Sequence, residues 1–192
     1  MTKRRSPIHH RVRDHKREGK EIQSYLRGKG KKGSYKVRVL QSSRNSTIRT
    51  QRSALKETLK VISPFELKFV IGGFRLSSED RGKTLATYNL KTKIVTLYRG
   101  VVTRRDQEVH FSIYHEIGHA IWHSASIVLC REEVEGMRYL WLEVYKKEQV
   151  SQRAKKNERE GFAEAYANYR LAPETVKDFY LKTYVYMRGM FG

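Results

Sequence analysis

The chain has 192 residues and one cysteine, and its 40 Lys and Arg against 20 Asp and Glu give a formal net charge of +20. This length predicts one domain with an appended segment, and a single thiol excludes an intrachain disulfide framework and a cysteine-rich metal cluster. No run of 18 apolar residues occurs, and the basic first residues are not followed by an apolar stretch. We therefore expect neither a transmembrane segment nor a secretory signal.

Positive charge is concentrated in the first third of the chain. Residues 1–60 contain 19 Lys and Arg and 4 Asp and Glu, a net charge of +15, whereas residues 61–192 carry only +5. Because residues 1–45 have few apolar positions, we predict a basic, flexible or extended arm, with short strands at 12–15 and 22–26 as an alternative. This charge predicts non-specific contact with nucleic acid, although an anionic membrane surface or another protein would also suit it.

Residues 46–192 are predicted to form an α+β domain with a small, mostly antiparallel sheet, because helical and strand-like patterns follow one another. The first helix begins near Thr47 and ends before Pro64. A last helix begins near Pro173 and runs into Tyr184. Between them the patterns predict strands over 65–71, 84–88 and 94–98, the last two forming a hairpin, and helices over 109–122, 132–150 and 158–171.

The sequence His115-Glu-Ile-Gly-His119 is an H-E-x-x-H motif inside an apolar helical segment. Residues four apart on a helix lie one above the other, so His115 and His119 are predicted to bind a single Zn²⁺ through two neutral ring nitrogens. Glu116 is turned about 100° away from His115 on the helix, where it can take a proton from the metal-activated water.

A third metal ligand is required, and four residues are candidates. His123 is excluded, because it lies eight residues from His115, about 12 Å along a helix. Cys130 and Glu158 remain alternatives. Glu160 is the preferred ligand, since it belongs to a second helix on which two carboxylates would otherwise stand among apolar residues.

Glu164, one turn after Glu160, is the second carboxylate on that helix. We expect it to accept the spare ring N–H of a metal-binding histidine, an interaction that orients the ligand. The alternative is that both acids face solvent beside Lys155 and Arg159.

The segments HEIGHAIWH and EGFAEAYANY, which begin 45 residues apart, together resemble the anthrax lethal factor-like metalloendopeptidases. This family includes the catalytic domain of lethal factor and the Pro-Pro endopeptidases, and the resemblance covers about residues 84–187. It implies a zincin-like fold with an active-site helix and C-terminal helices. It also implies that strand 94–98 is the edge strand of the cleft, where an extended polypeptide substrate would pair through its main chain.

One residue departs from the family pattern. The family carries an oxyanion-stabilising tyrosine about seven residues before the ligand glutamate, and this chain has Arg153 there. Either Arg153 or Tyr184, in the segment TYVYM, could donate to the oxyanion, and Tyr184 is the preferred candidate.

Residues 8–30 resemble a short basic pattern found in tailed-phage and mobile-element proteins, which implies a phage-encoded or virion-associated peptidase. The predicted function is therefore that of a zinc metalloendopeptidase with one Zn²⁺ per chain, cytoplasmic or virion-associated, without a membrane span. Two alternatives remain open. One is a virion or DNA-associated structural protein that carries a zincin-like domain, and the other is a DNA-tethered protease acting on nucleic-acid-bound proteins.

Overall fold

The structure, a computed structural model, describes residues 38–41 and 46–192. Its described part contains a four-stranded sheet and seven α-helices, so the predicted α+β class is confirmed. The strand alternatives at 12–15 and 22–26, and most of the predicted arm, lie outside the described residues. The strands are β1 (Val39–Gln41), β2 (Phe74–Leu76), β3 (Ala86–Asn89) and β4 (Ile94–Leu97); the helices are α1 (Ser46–Leu59), α2 (Pro64–Leu67), α3 (Asp106–Val128), α4 (Arg131–Tyr145), α5 (Glu158–Leu171), α6 (Pro173–Phe179) and α7 (Leu181–Phe191).

The sheet has the strand order β1-β2-β4-β3. β1 and β2 pair in parallel, β2 and β4 pair in parallel, and only β3 and β4 are antiparallel. The prediction of a mostly antiparallel sheet is therefore wrong for the described strands, because the hairpin alone was visible from local sequence. The prediction that strand 94–98 forms an edge is also wrong, since β4 lies between β2 and β3 and the antiparallel β3 forms the edge instead.

The predicted strand over 65–71 is a helical turn, α2. Ser63 Oγ accepts from the Glu66 N–H, the Glu66 carboxylate accepts from the Ser63 N–H at 2.8 Å, and Pro64 occupies the first turn. These contacts form a capping box that satisfies backbone donors at a helix start. The strand follows as β2, after a turn in which Gly73 has φ +76°.

Helix α3 is the centre of the core, because it packs against β3 and β4 on one side and against α5 on the other. Its apolar side chains Ile113, Ile117 and Ile121 are completely buried, and Phe162 on α5 meets Trp122 at 5.3 Å between ring centroids. Burial on both sides explains why this helix is apolar over most of its circumference. None of the helices in the described part of the chain has the length and apolar character needed to span a bilayer.

Two buried polar side chains attach helices to their neighbours. The amide of Gln51, on α1, donates to the Ser77 carbonyl at 2.7 Å, just beyond β2. The Glu66 carboxylate, fully buried, accepts from the hydroxyl of Tyr166 and the guanidinium of Arg170 on α5. Because a buried charge is costly without partners, this pairing holds α2 against α5.

The last predicted helix is two helices. Pro173 begins α6, and α7 begins at Leu181 after a break at Tyr180, whose backbone leaves the helical region. The Glu148 carboxylate accepts from the N–H groups of Lys182 and Thr183 and so satisfies donors at the start of α7.

Candidate metal centre

Helix α3 places the two imidazoles of the H-E-x-x-H motif on one face. The ring centroids of His115 and His119 are 4.7 Å apart, and their Nε2 atoms are separated by 3.1 Å. Burial and the neighbouring His115 lower the pKa of His119 to about 4. His119 is therefore neutral at pH 7, the protonation state in which an imidazole binds a metal.

Helix α5 brings Glu160 to the same point. The Asn157 side chain caps this helix by accepting from the N–H groups of Arg159 and Glu160, which fixes Glu160 in the first turn. Its Oε2 lies 3.5 Å from His115 Nε2, and its Oε1 lies 3.4 Å from His119 Nε2. The three side chains form a group whose donor atoms all lie within 4.8 Å of one another.

These separations fit a metal ion. A tetrahedral ion with ligands at about 2.0–2.1 Å requires donor atoms about 3.3 Å apart. The two Nε2 atoms are 3.1 Å apart, and each has a different oxygen of Glu160 nearest to it, Oε2 at 3.5 Å from His115 and Oε1 at 3.4 Å from His119. Two imidazoles and a carboxylate are also a donor set that divalent transition metals favour. The residues therefore fit a metal centre with three protein ligands.

A close approach of the two helices makes this convergence achievable. At Gly118, a Cβ atom would lie 2.8 Å from the Cα of Ala163 on α5. Only glycine therefore permits this spacing, and Ala163 keeps the facing side chain small. The Gly and Ala inside the two motifs thus set the separation at which Glu160 reaches both histidines.

Glu164 orients the first histidine. Its Oε1 lies 3.0 Å from His115 Nδ1, and neither atom makes a hydrogen bond to any other described residue. Its Oε2 accepts from Ser151 Oγ at 2.8 Å. Burial alone raises the pKa of Glu164, but the contacts with His115 and Ser151 outweigh burial and lower it, so the carboxylate is ionised. A carboxylate at Nδ1 directs Nε2 of His115 towards the metal position.

Glu116 lies beside the three ligands and is 9% exposed. Burial raises the pKa of its carboxyl to about 7, while His115, the backbone of Tyr88 and the positive charge of Arg153 oppose that rise. Tyr88 belongs to the edge strand β3, so the Glu116 carboxyl contacts the backbone of that strand. A carboxyl with a pKa near neutrality can both accept and return a proton.

Arg153, in the connection before α5, reaches the same group. Its Nε donates to Glu160 Oε2 at 3.0 Å and lies 3.9 Å from Glu164 Oε1. Half of its side chain is exposed, so the guanidinium faces the open side of the cluster.

The remaining candidates are placed elsewhere. The ring of Tyr184 packs on Tyr169 at 5.9 Å between centroids, and its hydroxyl accepts from Arg188 at 3.3 Å. Glu158 and Cys130 fall outside the group of three candidate metal ligands, and Cys130 is an exposed residue at the start of α4. The catalytic role of Tyr184 stays a prediction.

Sequence reasoning missed two contributors. Ser151 holds Glu164, and Tyr88 supplies a backbone contact to Glu116 as well as a ring that stacks on His123 at 6.1 Å. A serine in a polar connection and a tyrosine in a strand carry no local signal of this kind, since their roles depend on how β3 and α5 pack around α3.

A small cavity of about 260 Å³ lies beside the metal position. Its wall includes His123, one turn beyond His119, with the two rings 6.3 Å apart. Burial and the positive charges of Arg159, Lys93 and Arg138 lower the pKa of His123 to about 4. The complete lining consists of Trp122, His123, Arg138, Leu142, Glu158 and Arg159.

No protein-family model matches the chain, and no curated protein matches it. Among solved structures, the chain is similar to the Pro-Pro endopeptidase PPEP-2 from Paenibacillus alvei, with a TM-score of 0.54 and 18% sequence identity. The similarity covers 78% of this chain and 95% of that chain. At this identity it establishes the fold alone, and it confirms the zincin-like architecture.

Proposed function

We propose that the protein is a zinc-dependent metallopeptidase that hydrolyses peptide bonds in extended polypeptides. The convergence of the nitrogens of His115 and His119 and the carboxylate of Glu160 at the spacing of tetrahedral ligands carries this proposal. The similarity in fold to a protein described as a Pro-Pro endopeptidase supports it. Three protein ligands leave one position open, which is typical of catalytic rather than structural zinc.

His115, His119 and Glu160 would hold one Zn²⁺. When bound, the ion would supply Lewis-acid polarisation of the substrate carbonyl and acidification of a water molecule. Glu164 keeps His115 in the tautomer that presents Nε2, because its carboxylate accepts a hydrogen bond from the N–H at Nδ1.

Glu116 is the general base of the proposed reaction. Its carboxylate takes a proton from the attacking water as the new C–O bond forms at the scissile carbonyl. It then gives that proton to the leaving nitrogen as the C–N bond breaks. Its burial beside the ligands, with a pKa near 7, suits both transfers.

The edge strand β3 is the proposed docking edge for the substrate. Its other side pairs with β4, and the backbone of Tyr88 stands against Glu116. An extended peptide added to this strand would bring a carbonyl next to the catalytic base.

We assign the oxyanion role to Arg153 in preference to Tyr184. The Arg153 guanidinium is already held against Glu160 Oε2 at 3.0 Å, whereas Tyr184 packs on Tyr169. A fixed positive donor beside the metal position would stabilise negative charge developing on the carbonyl oxygen.

Hydrolysis of casein and of a quenched-fluorescent peptide mixture tests the proposed function. We expect hydrolysis that a chelator abolishes and added Zn²⁺ restores. Glu116→Gln should retain zinc and lose activity by several orders of magnitude, because it keeps the ligands and removes the base. Turnover near that of the wild type in Glu116→Gln would refute the base assignment. Absence of any zinc-dependent hydrolysis would favour a virion or DNA-associated structural role.

The net charge of +15 in residues 1–60 favours one elaboration of this function, a protease tethered to nucleic acid. In that arrangement the basic residues recruit the enzyme to a polyanion, and the catalytic domain cleaves proteins bound there.

A further inference from the structure

The cavity that contains His123 adjoins the metal centre on two elements. On α3, His123 follows the ligand His119 by one turn, and their rings are 6.3 Å apart. On α5, Glu158 and Arg159 immediately precede the ligand Glu160. A group bound in this cavity would therefore belong to a substrate whose reacting bond lies at the metal.

One wall of the cavity is an aromatic ring in contact with a cation. The guanidinium of Arg138 lies over the buried ring of Trp122, and its central carbon is 5.5 Å from the ring centroid. Leu142, one turn further along α4, adds an apolar surface. A cation–π contact holds the guanidinium against the wall without using its hydrogen-bond donors.

The charges of the lining are unbalanced. Arg138 and Arg159 have no carboxylate within 4.0 Å in the part of the chain that the structure describes, and Glu158 is the only acidic residue in the lining. Lys93 contributes further positive charge near His123. The two guanidinium groups and one carboxylate of the lining leave a formal charge of +1, to which Lys93 adds, so the cavity favours an anionic group such as a carboxylate.

The volume of about 260 Å³ limits the size of the occupant. Pockets for drug-sized ligands are about 300–1,000 Å³, so this cavity suits one side chain or chain terminus. Guanidinium groups offer several N–H donors in a plane, which matches the two oxygens of a carboxylate.

We propose that this cavity binds a carboxylate of the peptide substrate, so that the enzyme selects peptides with an acidic group next to the bond it cleaves. The inference rests on the proposed peptidase function and adds its substrate class. Arg138 and Arg159 are the specificity-determining residues, and neither contacts the reacting bond.

The test compares hydrolysis of quenched-fluorescent peptides that differ only by Glu, Gln or Lys at one position near the scissile bond. For the full-length wild type we expect kcat/KM about tenfold higher for the best Glu peptide than for its Gln counterpart, the effect of one charged hydrogen bond. In the double variant Arg138→Gln with Arg159→Gln this ratio should fall to about one. Arg49→Gln, an exposed position on α1, is the matched control and should keep the wild-type ratio.

Charge reversal makes the test independent of a simple loss of activity. Arg159→Glu should turn the preference towards the Lys peptide, a gain that a misfolded variant cannot show. Unchanged preference in both the double variant and Arg159→Glu would overturn the assignment of these arginines.

Binding measured by calorimetry supplies a readout that does not require turnover. Zinc-loaded Glu116→Gln should bind the Glu peptide about tenfold more tightly than the Gln peptide. Amidation of the peptide terminus distinguishes the two sources of the carboxylate: an unchanged affinity assigns the cavity to an acidic side chain, and an affinity lowered about tenfold for every peptide assigns it to the terminal carboxylate.

The two proposals fail in different ways. Cleavage without preference for any carboxylate, together with equal binding of all peptides, would overturn the carboxylate site and leave the peptidase function intact. Absence of cleavage of every peptide would contradict the peptidase function itself.

Discussion

At the scale of single residues, the chemistry of the site depends on how each carboxylate is surrounded. Glu160 lies 3.5 and 3.4 Å from the two Nε2 atoms, Glu164 contacts Nδ1 of His115, and Glu116 is buried against the backbone of Tyr88. The three glutamates thus have three different environments, which suit the proposed roles of ligand, orienting group and base. Glu158 and Glu160 both lie in the first turn of α5. The metal content of variants at these two positions therefore tests which of them is the ligand.

Glu160→Ala should bind markedly less zinc than the wild type, because it removes one of three donor atoms, whereas Glu158→Ala should bind the same amount. Metal analysis of the purified variants after dialysis checks this expectation. The reverse result would move the ligand to Glu158, which the structure places in the wall of the neighbouring cavity.

Arg153→Gln should lower kcat by about 10²–10³-fold with little change in KM, the effect of removing a donor that acts on developing charge. Zinc content should stay at the wild-type level. Lys155→Gln, exposed in the same connection, is the control and should leave kcat unchanged. A large loss of kcat in Tyr184→Phe together with full activity in Arg153→Gln would return the oxyanion role to Tyr184.

At the scale of secondary structure, the candidate metal centre depends on the contact between α3 and α5. Gly118 faces Ala163 so closely that the Cβ of any other residue would lie 2.8 Å from a backbone atom. Gly136, in the interior of α4, has no atom within 4 Å of the position of its Cβ. The two glycines therefore provide a matched pair of sites in different packing environments.

Gly118→Ala should lower the free energy of unfolding by about 1–3 kcal/mol, because an extra methyl group forces α3 and α5 apart. It should also reduce zinc retention, since Glu160 moves with α5. Gly136→Ala should raise the free energy of unfolding by about 0.5–1 kcal/mol through helix propensity alone. Urea unfolding and metal analysis measure both effects, and unchanged stability with full zinc in Gly118→Ala would contradict the proposed role of this contact.

Local sequence predicted the helices and the hairpin around the site correctly, but it did not predict how the strands of the sheet pair. The helices over 109–122 and 158–171 and the hairpin of β3 and β4 are present, because periodicity and turn residues act over short distances. The predicted strand over 65–71 was wrong. The aromatic residues of this segment favour a strand, but Ser63 and Glu66 form a capping box that begins helix α2. Parallel pairing of β1, β2 and β4 joins residues far apart in the chain, and no local pattern reports it.

At the scale of the whole molecule, charge separates the first third of the chain from the rest. β1 (Val39–Gln41) falls inside the segment predicted as a basic arm, and it pairs with β2 through Val39 and Phe74. A deletion that tests the arm should therefore end at residue 37, so that this edge of the sheet is kept.

Deletion of residues 1–37 should weaken binding to duplex DNA and reduce its dependence on salt concentration, because most phosphate-pairing cations are removed. Zinc-dependent hydrolysis of a short peptide should continue at the wild-type rate. Fluorescence anisotropy across a salt series measures the first effect, and a full-length variant with Gln in place of the basic residues of 1–37 is the control for length. Undiminished DNA affinity after deletion would place nucleic-acid contact on the remaining chain.

The sequence by itself determined the helix that carries His115, Glu116 and His119 and the second helix that bears Glu160 and Glu164, because residues four apart on a helix share a face in any fold. Tertiary structure alone decided that β3 is the edge strand, that Gly118 sets the distance between the two helices, and that Arg153 rather than Tyr184 stands at Glu160. It also assembled the cavity of Arg138 and Arg159 from α3, α4 and α5. These features require elements distant in the chain to pack together, and packing depends on the shape and burial of the whole core.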